Sequence, residues 1–414
     1  MIINDNKKLI NSFKNGVVPE HHLDFILTGR HHEIEELRRC FENTQNDIGS
    51  VKFITGPYGS GKTFLLNYSK NMALDLGFVV AKIEVDSNFK FYNLEHLYYH
   101  VMHNLYVQNS TYKKTSFENI FDLWIRKLKS DAYRNHAGKE IAYVISEIGK
   151  YHQSFSRAFL SYIKGKISGD KDLSDTIVSW LTGEGNIPYQ LKEKFQIKGQ
   201  IDKSNSIDFL KAFTKLITLL GYNGMIIMID EMDYIINERS DIRQKSYYNL
   251  RHLIDLTISS QIPNTCFIFS GSHELFHNTE KGIPSYEALK QRLGTAIDTK
   301  KHTLLDLRQP VMHLKRLSFD VYSELGEKLT YIYKKVYDVN ITISLESLKN
   351  WVFLTYKEQG KEYHEVTIRE FITKYIEIMD IIHQNPKNHI FKSELSATPQ
   401  HNKMVYRSKN IKER

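Results

Sequence analysis

Val51-Lys52-Phe53-Ile54-Thr55-Gly56-Pro57-Tyr58-Gly59-Ser60-Gly61-Lys62-Thr63 runs from a short apolar segment into a glycine-rich turn. The opening residues, apolar and stopped by glycine, read as a buried strand. Residues 56–63 match G-x-x-x-x-G-K-[ST] throughout. Gly56, Gly59 and Gly61 let the backbone bend tightly and point successive N–H groups inward, a cradle for β- and γ-phosphates. Lys62 adds a positive point charge there, and the Thr63 hydroxyl is placed to ligate Mg²⁺. Residues 64–76 have helical period and are closed by Gly77, so the loop opens onto a helix N-terminus that favours an anion. A second strand at 78–85 completes a strand–helix–strand unit. The expected fold is therefore α/β: an αβα P-loop core with a parallel sheet, holding a nucleoside triphosphate with Mg²⁺.

A second stretch supports this reading. Met225-Ile226-Ile227-Met228-Ile229 is a continuous apolar run that ends in Asp230-Glu231. Fully buried parallel strands look like this, and their carboxylates emerge at the C-terminal edge where ligands bind. Asp230 is expected to hold the Mg²⁺ shell. Glu231 points the other way and is the candidate for polarising an attacking water, which argues for hydrolysis. Asp233 reads as a solvated loop carboxylate. The next strand, at 266–269, ends in Ser270-Gly271-Ser272-His273, where Ser270 or Ser272 can report on the γ-phosphate and His273 reads as a loop histidine. Arg292 follows on a helix from which a charge can reach a phosphate in a neighbouring subunit, a role that requires a homo-oligomer. Arg369 opens the last helix, where it can approach the γ-phosphate.

The remaining sequence sets the frame. Its 414 residues, 41% hydrophobic and 25% charged, suffice for a sizeable core divided among domains. No stretch approaches the roughly 20 apolar residues of a membrane helix, and the N-terminus lacks the apolar core of a secretory signal. A cytoplasmic protein is expected, with Cys40 and Cys266 as buried free thiols. Net charge is +8, and the last 23 residues carry six Lys/Arg against two Glu. Such a tail is expected to be disordered and permits contact with DNA through its phosphates. Domain boundaries are expected at 1–112 (lead-in and first part of the core), 113–206 (helical insert), 207–317 (second part of the core), 318–388 (helical lid) and 389–414 (tail). A short strand is expected at 311–314, with helices at 319–337, 345–358 and 367–383. Within the insert Trp124, Tyr143, Phe155, Phe159, Tyr162 and Trp180 are interleaved with lysines and arginines. Stacking on single-stranded bases is one reading, and a helical core of its own is the favoured one.

Together these elements resemble the AAA+ ATPases, in particular the origin-recognition-like branch, where a G-R-x-x-E element precedes the phosphate loop. Gly29-Arg30-His31-His32-Glu33 fits that element. A closer resemblance is to the BrxD-like ATP-binding proteins of bacterial BREX-type phage-defence systems. It rests on Gly29-Arg30, residues 56–64 through Phe64, Ile229-Asp230-Glu231 and Thr367-Ile368-Arg369-Glu370-Phe371-Ile372, and spans about 16–386. The resemblance implies a helical lid carrying the nucleotide-sensing Arg369. It also implies adenine held near Val17-Val18-Pro19 and Gly29-Arg30, and work beside a helicase or other DNA-acting protein. Many AAA+ proteins carry Asn or Thr where this chain has Ser270-Gly271-Ser272.

The reading that follows is an ATPase switch or motor subunit whose turnover depends on DNA or a protein partner. The competing one is a nucleotide-gated scaffold with little or no turnover. A DNA-architecture protein is disfavoured, since no helix-turn-helix signature follows the lid.

Overall fold

The strand expected at 51–55 forms as Ser50–Thr55 (β1) in the computed structural model, which describes residues 3–108, 114–185, 187–195, 199–294, 306–339, 344–362 and 365–385. Five more strands join it: β2 (Val79–Glu84), β3 (Leu105–Tyr106), β4 (Met225–Asp230), β5 (Thr265–Gly271) and β6 (Val311–His313). Their order is β3-β2-β4-β5-β1-β6, and every pairing is parallel except that of β2 with β3. This is the mostly parallel α/β sheet that the sequence implies. The two residues of β3 are too few to show a period and add an antiparallel edge.

Burial explains the composition of the central strands. Met225 to Ile229 of β4 are each fully buried, because β2 and β5 flank the strand and both faces are covered. The apolar run of β1 contains one exception. Lys52 is buried, with its ammonium 2.7 Å from the Glu36 carboxylate and donating to the carbonyls of Leu307 (2.8 Å) and Gln309 (2.9 Å). A buried ammonium with three acceptors is a satisfied one.

Topology positions the site. The chain leaves β1, forms helix Lys62–Asp75 and returns as β2, which lies beyond β5 and β4 in the sheet. That helix must cross those two strands, so its first turn falls over the end of β4. The register levels the strand ends: Thr55 pairs with Gly271, and Asp230 with Glu84. The C-terminal ends of β1, β5, β4 and β2 thus form one edge.

Among the described residues between β3 and helix Ser206–Leu219 lie the α-helices Asp122–Lys129, Arg134–Gly149, Gln153–Ser168, Lys171–Leu181 and Tyr189–Lys194. Trp124, Phe155, Phe159, Tyr162 and Trp180 are buried, as core residues rather than stacking platforms, but not in a core of their own: they belong to one hydrophobic cluster with strand residues such as Phe53, Val79 and Met225. Tyr143 differs and is 58% exposed.

The chain divides into two compact units, one formed by Arg30–Lys315 and the other by Met1–Gly29 together with Arg316–Arg414. The sheet and the insert belong to the first. In the second, helix Ile3–Lys14 packs against Phe319–Tyr337 and Ile368–Gln384, and Leu345–Glu358 packs against the same two helices. Lys14 and Asp380 join its first and last helices through a 2.7 Å ion pair. Thr367 and Glu370 form a capping box that starts the last helix where the sequence places it. The basic tail at 389–414 lies outside the described residues. Cys40 and Cys266 are buried and unbridged.

Candidate nucleotide site

The turn after β1 is shaped by two glycines in the left-handed region, Gly59 at φ 76° and Gly61 at φ 92°. A side chain at either would be strained. Gly61 caps helix Lys62–Asp75, which begins two residues earlier than its apolar period suggests. Within the loop Ser60 N–H donates to the Pro57 carbonyl (3.1 Å). The Lys62 ammonium donates to the Gly56 carbonyl (3.0 Å) and the Pro57 carbonyl (3.4 Å), so its charge sits in the hollow of the turn. Burial lowers its pKa, and the carboxylates of Asp233, Asp230 and Glu231 work against that shift. Tyr58 is 76% exposed, and Phe64 follows Thr63 in the first helical turn.

The Thr63 hydroxyl donates to Asp230 Oδ2 at 3.3 Å. This contact joins the helix after the loop to the end of β4, as the crossover geometry requires. Asp230 is buried, and its Oδ1 accepts the Glu231 N–H at 3.0 Å. Glu231 has φ 59°, ψ 41°, a conformation uncommon outside glycine and asparagine. The sharp turn carries its side chain away from the strand direction and leaves it exposed beside Asp230. Its pKa is raised, first by burial of the carboxyl and then by Glu84, Asp230 and Asp233, against an opposing pull from Lys62.

Two expectations are corrected here. Asp233 is not a solvated loop carboxylate: it accepts the Ser272 N–H at 2.8 and 2.9 Å and the Ser272 hydroxyl at 2.5 Å. It lies in the short helical turn Met232–Asn237 and clasps the segment after β4 to the segment after β5. His273 is not a loop histidine but the first residue of the short helix His273–His277, with Ser272 at its N-cap. The Ser272-x-Glu274 pattern is a helix-start signal that the sequence does carry.

Ser270, on β5 opposite Ile54, is fully buried, and its hydroxyl has no hydrogen-bond partner among the described residues. The hydroxyls of Thr55 and Ser60 share that condition. Three orphaned hydroxyls around one turn are an unusual concentration, since buried polar groups are normally paired. Oxygen donors at Thr63 and Asp230 and a cation at Lys62 suit a phosphate chain with a divalent cation.

The other candidates stand apart. The Arg292 guanidinium binds both Asp255 oxygens, at 3.0 and 3.2 Å, and donates to the Ala288 carbonyl. Arg369 is exposed in the first turn of Ile368–Gln384, within the second unit, where its stem lies near Gly16. Val18 and Gly29 belong to that unit too, and Gly29 adopts φ 62° against Val321 and Leu317. Arg30 belongs to the sheet unit. Its buried guanidinium pairs with Glu33 (2.9 Å) and donates to the carbonyls of Ser60 (2.9 Å) and Lys315 (2.5 Å).

Strand, glycine-rich turn, helix and a facing carboxylate on a parallel sheet define a phosphate-loop protein of the α/β class. The chain belongs to the BREX system ATP-binding protein BrxC/D family, whose model matches residues 3–396. None of the curated proteins matches the sequence. Among solved structures the ORC2 protein of Aeropyrum pernix, determined as ADPNP–ADP complexes, is similar at 12% identity and a TM-score of 0.36. That match covers 90% of this chain and 72% of the other. Among the described residues no helix is long and apolar enough to cross a membrane.

Proposed function

We propose that the protein binds ATP with Mg²⁺ at residues 56–64 and hydrolyses it, acting as a switch or motor subunit of a BREX phage-defence system beside a DNA-acting partner such as a helicase. The observation that carries this reading is the 3.3 Å contact between Thr63 and Asp230, with Glu231 next in the chain. Thr63 and Asp230 would hold the Mg²⁺, which when bound offsets phosphate charge. The backbone N–H groups of Tyr58, Gly59 and Gly61 hold the β- and γ-phosphates, and Lys62 exchanges its loop carbonyls for a phosphate oxygen. Glu231, exposed at the end of β4, takes the proton of the attacking water. Its raised pKa is a better match to that task than an ordinary glutamate's.

Adenine contact near Val18 and Gly29, nucleotide sensing by Arg369 and a trans role for Arg292 in a homo-oligomer complete the proposal. The last requires Arg292 to leave Asp255.

A nucleotide-gated scaffold is the second reading, and Ser270 favours it. Its side chain is fully buried, and Ser272, the other candidate reporter, is held by Asp233. Steady-state ATP turnover of wild type and Glu231→Gln, with and without single- and double-stranded DNA, separates the two. Turnover that the substitution removes supports the ATPase. Tight ATP binding without turnover under every condition supports the scaffold.

A further inference from the structure

Arg30 holds an unusual place in the chain. It is the first residue of the sheet unit, and Lys315 is the last. The polypeptide therefore passes between its two units at 29–30 and at 315–316. The Arg30 guanidinium binds the Lys315 carbonyl and, on the same nitrogen, the Ser60 carbonyl of the phosphate loop. Glu33, one helical turn on, fixes the other nitrogen, so the fork is oriented from within its own helix.

The segment around Lys315 meets the loop by a second route. Leu314 N–H donates to the Thr55 carbonyl at 2.7 Å, and a Cβ on Gly56 would lie 2.7 Å from the Leu314 carbonyl. Both passages between units are thus tied to one turn of backbone. The tie is a buried, planar donor that a single ammonium cannot reproduce.

We propose that Arg30 is a positioning residue that couples the shape of the phosphate loop to both passages between the units. This rests on the nucleotide-binding reading above and extends it. A ligand that reshapes the loop at Ser60 pulls on the carbonyl that Arg30 holds. The guanidinium cannot move without altering its grip on Lys315 and the backbone at residue 30. Nucleotide occupancy is thereby read at two distant points of the sequence through one side chain.

Hydrogen exchange on the full chain tests this, with and without a non-hydrolysable ATP analogue and Mg²⁺. In wild type the analogue is expected to slow exchange in peptides covering 54–66, 26–34 and 312–319. In Arg30→Lys the loop peptide should still be protected, with analogue affinity weakened by less than about tenfold, while nucleotide-dependent protection at 26–34 and 312–319 disappears. Equal protection at those two segments in Arg30→Lys and wild type overturns the coupling. If Arg30→Lys fails to fold, Glu33→Gln serves in its place, because it keeps the guanidinium but releases its orientation. It should shrink the protection at both passages, and undiminished protection there also overturns the proposal. A wild type that protects the loop but neither passage refutes the coupling alone. A wild type with no protection at the loop refutes the nucleotide reading beneath it.

Discussion

Gly56→Ala is a small change with a calculable consequence. A Cβ there would lie 2.7 Å from the Leu314 carbonyl oxygen and 2.7 Å from the Ser60 hydroxyl. Ordinary contact begins at 3.4 Å, so the gap must open by about 0.7 Å. Ser60 can rotate, but the Leu314 carbonyl is backbone and is tied to the strand edge, since Leu314 N–H donates to Thr55. The loop is the part that moves. Overpacking of this kind costs about 1–3 kcal/mol. Borne by the loop, that weakens nucleotide binding by about 5- to 150-fold. The assay is equilibrium titration with a fluorescent ATP analogue, beside thermal denaturation without nucleotide. Affinity should fall within that range while the melting temperature moves by a few degrees. Wild-type affinity in a folded Gly56→Ala protein would refute the claim that this contact shapes the binding turn.

Other outcomes follow from the same geometry. Glu231→Gln should keep ATP binding and lose turnover, as read by a phosphate-release assay. The ionised carboxylate is the base, so wild-type turnover should fall as pH drops through the raised Glu231 pKa, at a higher pH than for an unperturbed glutamate. For folding the sign is opposite: a carboxyl raised in the native state binds its proton more tightly there, so this residue's contribution grows as pH falls through that value. Glu231→Gln should remove both effects, and a pH profile unchanged by it rules the assignment out. Asp233→Asn removes the charge that accepts from Ser272 and should cost about 2 kcal/mol in chemical denaturation, with a greater loss in turnover than in ATP affinity. An equal loss in both would show that the clasp supports folding alone. Arg292→Ala should lower turnover only in a protein that self-associates, which sedimentation beside a turnover assay checks. A monomer insensitive to the change removes the trans role.

The parts of the fold legible in the sequence are those with local causes. The β1 run, the glycines of the turn and the five apolar residues before Asp230 each declare their state through their own chemistry. The hidden parts depend on partners far along the chain. Asp233 looks like any acidic loop residue until Ser272 meets it, and Lys52 looks out of place in β1 until Glu36 and two carbonyls surround it. Arg30 is the extreme case, because two of its three acceptors are backbone carbonyls, which no residue type announces. His273 is different: Ser272 and Glu274 mark a helix start in the sequence itself, and the expectation of a loop overlooks them.

The most direct test of the central claim is calorimetric titration of ATP with Mg²⁺ into the full-length protein and into Lys62→Ala. Saturable one-site binding by wild type, abolished or nearly so in a folded Lys62→Ala protein, is the expected result. Equal binding by the two proteins would place the nucleotide elsewhere and contradict the site described here.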